Sequence, residues 1–190
     1  MKKIMFNETY KLQTAVLERW KTMTRRLVPD GTPCGCWSET VKYSRYKFGE
    51  IVAIAQSYRS ITEGVEEENS VLGLYRIGQK YLTMDELEAG WNNKLFVRAD
   101  LMPHHIFITD VKIERLQHIS DTDCLREGIR QSVIEYGDKR IIQYTYFGEK
   151  RTIWFDTPRE AYANLIDRIS GKGTWDRNPY VFVYSFELIR

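Results

Sequence analysis

Leu12, Ala15, Val16 and Trp20 recur at the spacing that draws one apolar stripe along a helix, and they predict a helix over residues 10–20. The helical period stops in Lys21-Thr22-Met23-Thr24-Arg25-Arg26-Leu27-Val28, which reads as a strand closed by the turn Asp30-Gly31-Thr32-Pro33. A short apolar run, Ile51-Val52-Ala53-Ile54-Ala55, follows Gly49-Glu50 and predicts a buried strand. Residues 106–114 have strand composition and end in the alternation Val111-Lys112-Ile113-Glu114. Ser120 then opens a helix to about Ile129, with Asp121 and Asp123 near its positive end. Residues 131–153 suggest a hairpin rich in Ile, Tyr and Phe.

Two late elements carry clearer punctuation. Thr157-Pro158-Arg159-Glu160 combines an N-cap, a proline at the first helical position and a capping glutamate. The helix it starts presents Tyr162, Leu165, Ile166 and Ile169, and Gly171 and Gly173 stop it. In the last strand Tyr180, Phe182, Tyr184, Phe186 and Leu188 line one side while Val181 and Val183 begin the other, so a central position is expected. Residues 61–93 read as an insertion inside one domain of 190 residues. It holds a solvated acidic cluster (Glu63, Glu66, Glu67, Glu68) and a capping pattern at Thr83-Met84-Asp85-Glu86. Many strands with a few helices between them define an α+β, barrel-like class.

Composition narrows this picture. Apolar residues at 43% and charged residues at 28% describe a globular chain, and an aromatic share of 13% suits a β-rich one. A net charge of only +2 means that any attraction to nucleic acid must come from a local basic patch. Three cysteines, an odd number, and an opening segment whose apolar run is cut short by Asn7, Glu8 and Thr9 point to a reducing, cytoplasmic setting. No stretch approaches the roughly 20 apolar residues of a membrane span.

Candidate chemistry gathers in Arg19, Lys21, Arg25 and Arg26. Strand alternation puts Thr24 and Arg26 on one face and Arg25 on the other. These cations could clamp phosphate, or simply complement a helix C-terminus. A lysine in a partly desolvated cleft loses basicity and can act as a base, and Thr24 could then attack or orient a water. That scheme needs a carboxylate from elsewhere in the fold. Cys34-Gly35-Cys36 and His104-His105 fall short of a zinc set, so no metal or cofactor is expected. In Trp175-Asp176-Arg177-Asn178-Pro179-Tyr180 the aromatics could stack on a base and Asp176 or Asn178 read its edge. The same residues also suit a capped turn anchored by its tryptophan.

Arg19-Trp20-Lys21-Thr22-Met23-Thr24-Arg25-Arg26 resembles the Gly-x-Lys-x-x-Thr-x-Arg signature that opens ASCH domains. Further stretches resemble the longer, phage-associated members in order: Gly49-Glu50-Ile51-Val52, Met102-Pro103, Arg115-Leu116-Gln117-His118-Ile119-Ser120, Glu127-Gly128-Ile129 and the segment from Gly171 to Tyr180. The resemblance implies a PUA-like mixed β-barrel with flanking helices and a cleft beside the first helix. It implies a nucleotide, a modified base or nucleic acid as ligand, RNA before DNA; the candidate ligand contacts on this chain are Arg25, Arg26, Gln56, Trp175, Asp176 and Asn178. Gln56, in Ala55-Gln56-Ser57-Tyr58, stands where many long members carry Arg-Glu-Thr-Trp. Some small members are amidohydrolases that deacylate cytidine at its exocyclic amine through a lysine, a threonine and a glutamate. Carried onto this chain these are Lys21, Thr24 and Glu127. An accessory protein that binds a protein partner is the remaining alternative.

Overall fold

A computed structural model describes residues 1–62, 74–137, 139–148 and 152–189. It is an α+β protein, with nine strands and seven α-helices among the described residues. Five strands order as β1 (Lys3–Ile4), β3 (Ile51–Ile54), β6 (His105–Arg115), β9 (Tyr180–Ile189) and β2 (Met23–Leu27) in one sheet, two further pairs form separate hairpins, and none of these sheets closes on itself among the described residues. The chain divides into two compact units, one of Met1–Phe6, Ile51–Phe107 and Leu188–Arg190, the other of Asn7–Glu50 and Ile108–Glu187.

In the first unit, β1 (Lys3–Ile4) runs parallel to β3 (Ile51–Ile54), and β3 pairs antiparallel with the start of β6 (His105–Arg115), Val52 opposite Ile106. Val52, Ala53 and Ile54 are fully buried, which is why this strand reads as an unbroken apolar run. The core of the unit joins Ala53, Ala55 and Tyr58, the last from α3 (Tyr58–Thr62), to Leu87 of α4 (Met84–Trp91), Leu101 and Met102. The hairpin of β4 (Leu74–Ile77) and β5 (Lys80–Thr83) adds Ile77 and Leu82. The capping box expected at Thr83 and Glu86 opens α4. Gly90 allows that helix to lie on the Tyr58 ring, for a Cβ there would stand 2.4 Å from a ring carbon. The acidic cluster at 63–68 lies outside the described residues.

In the second unit, β2 (Met23–Leu27) pairs antiparallel with β9 (Tyr180–Ile189), and the remainder of β6 follows on the other side of β9. The last strand is thus central, with Val181 to Tyr184 and Phe186 buried. The first helix, α1 (Leu12–Leu17), is shorter than its apolar stripe suggests, because Lys11 (φ 49°) and Arg19 (φ 67°) are both left-handed and bracket it. Trp37–Thr40 forms α2, a single turn. Ser120 caps α5 (Asp121–Arg126) by accepting from the Asp123 amide, and Gly128 (φ 113°) ends the helical path before Ile129. Thr157 and Glu160 form the expected capping box on α6 (Pro158–Ser170), which buries Tyr162, Leu165 and Ile166. A one-turn helix, α7 (Thr174–Arg177), occupies the segment read as a turn. The expected hairpin is β7 (Arg130–Tyr136) with β8 (Lys139–Thr145).

Candidate functional site

Lys21 leaves α1 through the left-handed Arg19, and the amides of Trp20 and Lys21 both return to the Ala15 carbonyl. The lysine side chain is thereby turned inward and is 2% exposed. Its ammonium has three protons and meets three acceptors: the Met23 carbonyl at 2.8 Å, the Glu127 carbonyl at 2.5 Å and Glu127 Oε2 at 2.8 Å. Burial pushes this ammonium below the ordinary lysine range, while the Glu127 carboxylate pulls the other way.

Arg25, whose side chain is fully buried, collects carboxylates from three places. Glu114 on β6 accepts from Nε at 3.1 Å and from Nη2 at 2.6 Å. Asp123 on α5 accepts from Nη2 at 3.1 Å, and Glu127 Oε1 from Nη1 at 3.2 Å. Burial alone would depress the guanidinium, but the Glu127 charge and its other neighbours outweigh that and hold it above the ordinary arginine range. Lys112 and Arg126 complete the rim through Glu114 and Asp123. The result is a self-satisfied ion network, the form in which buried charge is tolerated. Buried beside it, the Tyr162 phenol is raised well above its usual value and the Cys124 thiol is pushed up to about 12, both by burial first.

Thr24 goes elsewhere. In the register of β2 on β9, Arg25 opposes Val183 and Met23 opposes Ser185, whereas Thr24 opposes Tyr184 and Arg26 opposes Phe182. Opposed residues share a face and successive ones alternate. Lys21, Arg25 and Glu127 therefore meet on one side of the strand pair, and Thr24 and Arg26 face the aromatic side, where Tyr46 packs on Tyr184. Gln56 belongs to the first unit: its amide donates to Met102 Sδ at 3.3 Å, and its buried Oε1 meets no donor among the described residues.

The Trp175 turn is tied from below. Asp167 accepts from the Trp175 and Gly173 amides at 2.8 and 2.9 Å, which hold its carboxyl below the usual carboxylate range. Asn178 Oδ1 accepts from the Gln117 amide at 2.9 Å, and Gln117 Nε2 donates to the Trp175 carbonyl. The indole lies edge-on to Tyr162 and under the Arg159 guanidinium, while Asp176 is exposed. Next to this turn stands a group that the sequence pointed to only through Tyr180. The Arg115 guanidinium lies 3.7 Å from the centre of the Tyr180 ring, and Trp37, half exposed, meets that ring edge-on at 5.1 Å. Arg115 donates to the Asn178 carbonyl and pairs with no carboxylate among the described residues.

Among the described residues, no three His, Cys, Asp or Glu side chains are grouped as a metal site needs, and no helix is long and apolar enough to cross a membrane. No family model, curated protein or solved structure matches the chain.

Proposed function

We propose that the chain is a nucleotide- or nucleic-acid-binding module in which exposed aromatic and arginine planes receive bases. The observation that carries this reading is the Arg115–Tyr180–Trp37 cluster. An arginine held over a tyrosine ring beside an accessible indole is a surface on which unstacked bases settle, and its positive charge suits a phosphate chain. The resemblance to ASCH domains supports the same reading and adds RNA as the preferred strand and a PUA-like barrel as the frame. On this view the buried Lys21–Glu127–Arg25 network is the strut that fixes β2 against α5.

The test is a titration of labelled single-stranded RNA, and of DNA of the same sequence, against the full chain. Trp37→Ala or Arg115→Ala should weaken RNA binding by about 1–3 kcal/mol. Wild-type protein that binds neither strand, nor free nucleosides, would end the proposal.

A second reading, deacylation of an acylated cytidine, draws on one observation: Lys21 and Glu127, two of the three groups it requires, are in contact at 2.8 Å. It ranks lower because all three ammonium protons already have acceptors and the Thr24 hydroxyl belongs to the opposite face of β2.

A further inference from the structure

A second cationic–aromatic group lies on the second unit, built from residues that are far apart in sequence. Trp20 and Phe147 face one another at 6.2 Å with their planes opened by 57°. The Arg130 guanidinium sits in that angle, 4.8 Å from the Trp20 ring centre and 4.9 Å from that of Phe147. The Lys11 ammonium approaches Phe147 as well, at 5.0 Å. Both cations are exposed. Among the described residues neither side chain forms an ion pair or a hydrogen bond, whereas those of Arg25, Lys42, Lys80, Arg98, Lys112 and Arg126 all meet carboxylates.

The group is also ordered from beneath. Trp20 Nε1 donates to Glu18 at 2.9 Å, and the ring packs over Gly128, where even a methyl group would come 3.8 Å from Cζ3. Lys11 stands immediately before α1 with a left-handed backbone, and Arg130 opens β7 two residues after Gly128. The Arg130 guanidinium, over two rings and without a side-chain acceptor among the described residues, has N–H donors spaced as a fork for a ligand. Two cations gathered on one ring, no more than about 10 Å apart, repel each other weakly until an anion lies between them.

We propose that Lys11 and Arg130 form a phosphate site, with the phosphate accepting from the Arg130 fork and lying against the Lys11 ammonium. Phosphate fits better than a carboxylate because, with two oxygens taken by the Arg130 fork, it keeps a further oxygen and more negative charge for the Lys11 ammonium. Taking that phosphate from a single-stranded nucleic acid rests on the function proposed above.

The experiment measures oligonucleotide binding to the full chain between about 50 and 200 mM salt. The wild type is compared with Arg130→Gln, Lys11→Gln, the double variant, Arg130→Lys and, as a stacking control, Trp37→Ala. Each lost charge should flatten the slope of log affinity against log salt by about 0.7. Arg130→Lys should restore the slope, which separates charge from misfolding, and Trp37→Ala should lower affinity with the slope unchanged. A double variant with the wild-type slope overturns the site while leaving the proposed function standing. If no oligonucleotide binds wild type, inorganic phosphate tests the site alone, and the proposed function falls only when free nucleosides fail to bind as well. A shift of the Trp20 indole N–H resonance that Arg130→Gln abolishes supports the site, and no shift overturns it. Polyglutamate binding that depends on both cations, with no response to phosphate, would also overturn it.

Discussion

Glu127 reaches two cations with its two carboxylate oxygens, Oε2 lying 2.8 Å from Lys21 Nζ and Oε1 3.2 Å from Arg25 Nη1. Removing Glu127 leaves the Lys21 ammonium buried with carbonyls alone, and removing Lys21 leaves Glu127 with only the longer Arg25 contact; breaking a buried pair in this way typically costs about 3–5 kcal/mol. Lys21→Met and Glu127→Gln should each destabilise the protein on that scale in urea unfolding. The double variant should cost less than the sum by about 1 kcal/mol or more, as expected for groups in contact. Additive losses would show that the two side chains do not depend on each other.

Gly128 should resist substitution. Its φ of 113° is strained for any residue with a side chain, and a Cβ would stand 3.0 Å from Leu12 Cδ2. Gly128→Ala should therefore destabilise by more than about 1 kcal/mol, measured by thermal or urea denaturation. Unchanged stability would mean that the backbone after α5 relaxes freely.

The Trp175 turn should loosen in acid. Asp167 is held below the usual carboxylate range first by the Trp175 amide and then by that of Gly173. A depressed carboxyl contributes stability that is complete above its unfolded value and is lost as pH falls through the folded one. Hydrogen exchange at the Trp175 and Gly173 amides should thus rise selectively below about pH 4. In Asp167→Asn exchange at both amides should be faster at neutral pH and lose that dependence. Equal acid sensitivity in the variant would place the titrating group elsewhere.

Release of cytidine from an acylated cytidine is the discriminating assay for the second reading. With Thr24 on the far face of β2 and Lys21 fully engaged, the wild type should give no more product than Lys21→Ala. Turnover lost in both Lys21→Ala and Thr24→Ala would reinstate catalysis.

Local signals were readable from sequence where the physics is local. The capping boxes at Thr83/Glu86 and Thr157/Glu160, the N-cap at Ser120 and the alternation around Arg25 depend on neighbours a few residues apart, and each appears in the structure. The end of α1 was less legible, because two left-handed residues, Lys11 and Arg19, override an apolar stripe that continues to Trp20. The gathering of Glu114, Asp123 and Glu127 on Arg25 was hidden, since it depends on how β6 and α5 are brought to β2. Glu114 offered one faint sign, as a charge at the end of an alternating strand, and Asp123 looked like an ordinary first-turn acid. Arg115 on Tyr180 and Arg130 on Trp20 join residues 65 and 110 positions apart, a pairing no window along the chain can display.

The Arg25 knot has an evolutionary corollary. A guanidinium shared by three acids is hard to exchange by itself, because its loss takes a fully buried partner from all three at once. Among descendants of a common ancestor, positions 25, 114, 123 and 127 should drift as a block, kept together or replaced together by apolar residues of similar bulk.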